Sequence, residues 1–209
     1  MPGPSVSDSP ARGTRLPRSA RRAQLLGAAR EVFVASGYHS ASMDDIADRA
    51  GVSKPVLYQH FPGKLDLYLA LLDQSIESLV AAVADALAST TDNKLRVTAT
   101  TQAYYDFVAD EGGAFRLIFE SDLTSEPAVR ERVDRVNQEC AELVSEVIAE
   151  DAGLSDEQSH LLASGLIGMA QVSARYWVTT GQRVPEDEAV RLVAALSWRG
   201  ISKFPRTGG

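Results

Sequence analysis

The chain has little with which to carry out covalent chemistry. It has one cysteine, Cys140, among 209 residues. That leaves no internal disulfide and no thiol cluster for zinc, and a reducing cytoplasm is the expected setting. Its three histidines, at 39, 60 and 160, are scattered, with no HExxH pair and no glycine-rich phosphate loop. No stretch alternates apolar and polar residues as a half-buried strand would. No apolar run approaches the roughly 20 residues of a membrane span, and the N-terminus lacks the hydrophobic core of a secretion signal. Asp44, Asp45 and Asp48 crowd one short stretch, yet there they read as capping and solvating a helix rather than as a catalytic pair. Enzyme chemistry therefore finds no support, and no metal or cofactor site is expected.

What is present is a charge imbalance. The net charge is −7, but residues 1–64 hold nine Lys/Arg against five acids, an excess of four positive charges that leaves −11 for residues 65–209. A basic head on an acidic body suits a partner such as DNA for the head alone. It argues against a DNA packager, which would gain affinity from charge over its whole surface.

The pattern along the chain is helical throughout. Residues 1–17, rich in Pro, Ser, Gly and Arg, read as a disordered basic arm. From Pro17, Leu25, Ala28, Ala29, Val32 and Phe33 share one helical face, up to a stop at Ser36-Gly37. Lys64 opens a long helix to about Ala88, and Asp92 or Asn93 caps another to about Asp110. Phe115 to Ser121 reads as a short aromatic helix. Glu126-Pro127 starts a helix with heptad-like Val129, Val133, Val136, Cys140, Leu143 and Val147, which runs to Gly153. Ser155 and Gln158 form a capping box for a helix to about Thr180. Pro185 starts the last, ended by Gly200. The expectation is an all-α fold of about nine helices.

The most informative stretch is SMDDIADRAGVSKPVLYQHFPGK, residues 42–64. Ser42 caps a helix with Asp45 three residues on, Ile46, Ala47 and Ala50 point inward, and Gly51 stops it. Ser53 caps a second helix with Pro55 in its first turn, and Leu57 and Phe61 share its buried side. This is the sequence shape of a helix-turn-helix, whose second helix enters the DNA major groove. The face opposite Leu57 and Phe61 then reads bases. Gln59 suits adenine, Lys54 guanine, and Pro55 and Val56 the thymine methyls. No arginine lies on this helix, so DNA shape takes a correspondingly larger share of the readout.

The stretch AREVFVASGYHSASMDDIADRAGVSKPVLYQHFPGKLDLYLALL, about residues 29–72, resembles the TetR family of bacterial transcription regulators. TTDNKLRV, FRLIFESDLTSEPAVRERV and SARYWV add a narrower resemblance, to actinobacterial FasR-type regulators of fatty-acid synthesis genes that sense long-chain acyl-CoA. The resemblance implies a DNA-binding head over 18–64 and a ligand-binding, dimerising body over 65–209, paired through its last two long helices. It puts Lys54, Tyr58, His60 and Lys64 at DNA, Tyr58 and Lys64 on phosphate. Ser42 and Ser53 are capping residues able to donate to phosphate as well. Arg12, Arg15 and Arg18 suit an adjacent minor groove. In the body, Thr101, Tyr104, Tyr105, Phe107, Phe115, Phe119, Met169, Tyr176 and Trp177 are candidate pocket residues, with plain core as the competing reading. Gly165 and Gly168 suit a close dimer seam or, equally, room for a ligand; Leu192, Leu196 and Trp198 suit an apolar interface, an internal core face being the alternative for those three. Implied partners are a palindromic duplex operator, a second copy of the chain and a small hydrophobic effector, without a membrane. The rival within the class is a repressor of an efflux gene that senses a hydrophobic or cationic compound.

Overall fold

The computed structural model describes residues 16–110, 113, 123 and 125–201. Among them all regular structure is helical: α1 (Arg18–Ser40), α2 (Met43–Ala50), α3 (Lys54–His60), α4 (Lys64–Ala88), α5 (Asn93–Ala109), α6 (Pro127–Ala152), α7 (Asp156–Thr179) and α8 (Glu186–Ile201). The expected short aromatic helix over 115–121, with Phe115 and Phe119, lies outside the described residues, as does Arg15 in the N-terminal arm.

Helix boundaries follow local chemistry. Ser42 Oγ accepts from the Asp45 N–H at 3.1 Å while the Asp45 carboxylate accepts from the Ser42 N–H, a complete capping box. Asp92 caps α5 by accepting from Lys94 and Leu95 N–H. Ser155 and Gln158 repeat the box at α7. Gly51 ends α2 at φ 64°, a left-handed conformation in which a Cβ is costly. Three boundaries differ from expectation. Gly37 takes φ 73° as a kink, but the chain resumes one more helical turn to Ser40, because Ala41 N–H returns to the Gly37 carbonyl. Gly200 does not end α8, which continues to Ile201; a glycine costs a helix about 1 kcal/mol and does not by itself stop one. Ser53 precedes α3 without a side-chain cap; its carbonyl, not its hydroxyl, accepts from Val56 and Leu57.

α1 packs on α2 and α4, and α2 packs on α3. Leu25, Ala29, Phe33, Ile46, Leu57, Phe61 and Leu67 fill the space between them, all nearly inaccessible. Gln24 Nε2 adds a 2.8 Å hydrogen bond to the Ala50 carbonyl, closing the end of α2 against α1. In the body α4 lies against α5 and α6, α6 against α7, and α8 against α5 and α7. Buried side chains form one connected cluster from Leu25 to Val190. Lys64–Ala88 is long and apolar enough on average to cross a membrane by length and composition alone, though Asp73 and Glu77 interrupt its apolar residues. Its Leu67, Leu71, Leu72, Ile76, Leu79 and Val83 are instead buried against protein, which makes it a core helix.

Candidate nucleic-acid interface and ligand cavity

α3 turns Leu57 fully inward and leaves Lys54, Pro55, Tyr58 and Gln59 exposed, with Val56 and His60 half-buried at the edges. Tyr58, at 46% exposure, stands free on the surface. Lys54 Nζ pairs with Asp44 at 2.6 Å, both side chains more than half exposed. That hydrogen bond raises the Lys54 pKa and keeps the ammonium charged. An exposed pair of this kind holds its partner weakly, so a phosphate can replace Asp44. Arg18 is exposed at the start of α1, and Arg49 on α2 pairs with Glu31. The free Ser53 hydroxyl and the capped Ser42 flank the same surface.

Lys64 is engaged within the protein itself. Its Nζ donates to the carbonyls of Tyr38 and Ala41, each at 2.8 Å, and to that of His39 at 3.4 Å. It also lies 4.4 Å from the centre of the Tyr38 ring. An ammonium has three donors, and all three are occupied by the end of α1. Lys64 thereby clamps the end of α1 to the start of α4.

The body contains a cavity of about 430 Å³ among α4, α5, α6, α7 and α8. Val97, Val144, Val147, Ile148, Leu154, Leu162, Leu166, Ile167 and Ala170 give it apolar walls, and Leu87 at the end of α4 reaches it. Polar groups gather at one end. Asn93 Nδ2 donates to Asp151 at 2.7 Å, and Arg96 lies 3.6 Å from the same carboxylate. Arg96 also donates to the Leu87 and Thr90 carbonyls and to Asn93.

Among the described candidate pocket residues, only Thr101 lines this cavity. Tyr104, Tyr105 and Trp177 are core residues, and Trp177 Nε1 donates to the Val184 carbonyl at 2.7 Å. Phe107 borders a separate polar groove between α4 and α5. Met169 is half-buried, its sulfur accepting from Ser197. Tyr176 is 70% exposed on the outside of α7, so it is not a cavity residue. Trp198, also a candidate for the seam, is half-buried and lines the cavity. Arg96, Asn93 and Asp151 went unnoticed in sequence. The Asp92 cap was the available signal, since it sets Asn93 and Arg96 one turn apart on α5.

The outer faces of α7 and α8 are unusually apolar. Leu161, Val172 and Tyr176 on α7 and Leu192 and Leu196 on α8 are 51–73% exposed. Gly165 and Gly168 lie in the same α7 row, and a Cβ on either would meet open space.

Comparison with known proteins agrees with this architecture. Residues 25–71 match the family model described as bacterial regulatory proteins, tetR family. The HTH-type transcriptional activator FasR of Mycolicibacterium smegmatis is 47% identical over 196 residues, 94% of this chain and 90% of that one. A TetR-like transcriptional regulator from a Rhodococcus species superposes with TM-score 0.71 at 26% identity, over 91% of this chain and 100% of that one. FadR of Bacillus subtilis, solved in complex with stearoyl-CoA, has the same fold with TM-score 0.70 at 18% identity, over 84% of this chain and 96% of that one. With a helix-turn-helix at one end and an effector-sized cavity at the other, the chain belongs to the TetR family of bacterial transcription regulators, as a regulator of FasR type.

Proposed function

We propose that the protein is a cytoplasmic, homodimeric regulator of fatty-acid synthesis genes, responsive to long-chain acyl-CoA, with a DNA-binding unit over 18–64 and a ligand-binding, dimerising unit over 65–209. The observation that supports this best is α4. Leu87 borders the cavity and Lys64 clamps the other end of the same helix to α1, beside the DNA-facing helices. Twenty-five residues span about 37 Å at 1.5 Å each. A ligand that favours one tilt of α4 shifts the spacing of two heads, provided it binds that arrangement more tightly.

The cavity's chemistry favours an acyl chain. Its walls are apolar, and its charged groups gather at one end, where a polar head group emerges. Asp151, the one carboxylate among the described lining residues, is engaged at the polar end by Asn93 and Arg96, which leaves no unpaired carboxylate among them for a cationic drug. The exposed row on α7 and α8 is the face we assign to a second copy. Its glycines admit close helix approach, and its leucines supply apolar area. The two α3 helices then enter successive major-groove turns of a palindromic operator, about 34 Å or a multiple apart.

Fluorescence anisotropy of a labelled upstream duplex, titrated with protein in the presence of acyl-CoAs or free CoA, tests the proposal. Acyl-CoA is expected to change DNA affinity and free CoA to leave it unchanged. Equal effects, or none, would rule out the acyl-CoA reading.

A further inference from the structure

We infer that Tyr104 sets the length of alkyl chain the cavity accepts, an inference that rests on the acyl-chain reading and concerns the cavity's buried end. Exposure fixes which end is which. Asp151 and Arg96 keep 46% and 22% of their side-chain accessibility, whereas Thr100, Thr101, Ile167 and Ala170 are buried. α5 and α6 run antiparallel, with Asn93 beside Asp151 at one level and Tyr104 beside Cys140 at another.

One turn beyond the innermost lining residues, three helices present a further buried layer that stands behind the cavity wall. Beyond Thr100 on α5 stands Tyr104, beyond Val144 on α6 stands Cys140, and beyond Ala170 on α7 stand Ala174 and Trp177. All are buried, and the Trp177 ring lies 5.3 Å from that of Tyr105. Tyr104 is among the largest fully buried side chains of the protein. Its hydroxyl has no hydrogen-bond partner beyond the weak Cys140 thiol beside it. Packing, not a strong polar bond, therefore holds the ring in place.

The cavity, of about 430 Å³, holds an alkyl chain of limited length only. A longer chain reaches that buried layer and must push Tyr104 aside. Removing the ring lengthens the cavity, whereas enlarging Ala170 shortens it.

The test uses the full-length protein and two ligand series of twelve, sixteen and twenty carbons, acyl-CoAs and free fatty acids, with affinities read by calorimetry. Tyr104→Leu is expected to raise the ratio of twenty-carbon to twelve-carbon affinity by about tenfold, the worth of roughly two newly buried methylenes. Ala170→Phe lowers that ratio, and Tyr104→Phe leaves it unchanged. Should Tyr104→Leu fail to fold, Tyr104→Met keeps most of the volume but yields to a chain, and the same rise is expected. A folded Tyr104 variant with the wild-type ratio in both series overturns the inference. A shifted ratio with fatty acids alone upholds it while removing acyl-CoA as the ligand, and a wild-type protein that binds neither series overturns both.

Discussion

Two lysines ten residues apart carry the same charge into different work. Lys54 stands exposed with only Asp44 as a partner, while the three donors of Lys64 are taken up by backbone carbonyls. Lys54→Ala is expected to leave the melting temperature unchanged. With a phosphate taking the place of Asp44, rather than the guanine contact read from sequence, the variant should weaken every duplex alike and reduce the salt slope of binding by about 0.9, the contribution of one phosphate contact; a loss confined to one base pair would favour guanine. Lys64→Met should instead cost about 2–3 kcal/mol of stability, as lost hydrogen bonds to a charged group do, seen in a denaturant melt. Its salt slope, measured on the folded fraction, should stay at the wild-type value. Gln59, exposed on α3, belongs to a third class. Gln59→Ala should relax preference at one base pair by roughly 1–3 kcal/mol while leaving non-specific affinity intact, as competition with single-substituted duplexes would show.

At the scale of elements, most of the fold was legible in sequence because its signals are local. Capping residues at Ser42, Asp92 and Ser155 each act within four residues of themselves, and heptad-like spacing exposes the inner face of α6. The cavity was less legible because long-range register makes it. Nothing within one helix says that Asn93 will meet Asp151, 58 residues away, or that Trp198 turns inward while Leu196 turns out. Aromatic residues drew attention as pocket candidates, yet Tyr104, Tyr105 and Trp177 fill the core, and the described cavity walls are aliphatic apart from Trp198. Lys64 shows the same limit: its position at a helix start suits phosphate, but the carbonyls it serves lie at the end of α1 and just past it, more than twenty residues away.

The junction of α5 and α8 has its own pH dependence. Burial, and then its contact with Asp106, holds the Glu186 carboxyl above the usual carboxylate range; the Gln102 hydrogen bond opposes this, and the charges of Asp106 and Asp187 add to it. A raised pKa in the folded state means that its stabilisation is full below the ordinary glutamate range and is lost as pH rises through the raised value. Glu186→Gln should therefore melt above wild type at neutral pH, with the gap closing toward about pH 4, near the ordinary glutamate value. A gap that widens in acid would contradict the assignment.

For the whole molecule the decisive quantity is the state of association. Leu196 is 62% exposed, so Leu196→Glu removes nothing the single chain needs to fold. On the proposed dimer it places like charges across a shared apolar face. The variant should run as a monomer in sedimentation with an unchanged far-ultraviolet spectrum, and should lose tight binding to a palindromic duplex while keeping weak, salt-sensitive binding. A second tie acts within one chain: Arg132 and Arg135 on α6 both grip Asp73 on α4, Arg132 with two hydrogen bonds of 2.9 and 3.2 Å. Asp73 sits at the middle of the helix proposed to pass ligand occupancy to the DNA-facing end, so Asp73→Asn should blunt the effect of ligand on DNA affinity more than it changes either affinity alone.

Cys140 turns the interior of the body into its own reporter. It is the one sulfhydryl in the chain, it is wholly enclosed, and burial pushes its pKa up so that little thiolate is available to react. A small alkylating dye can therefore label the native protein only as fast as the helices around that sulfur separate. The labelling half-time measures that breathing without any engineered probe, and its change when an effector is added would show whether occupancy tightens the bundle or loosens it.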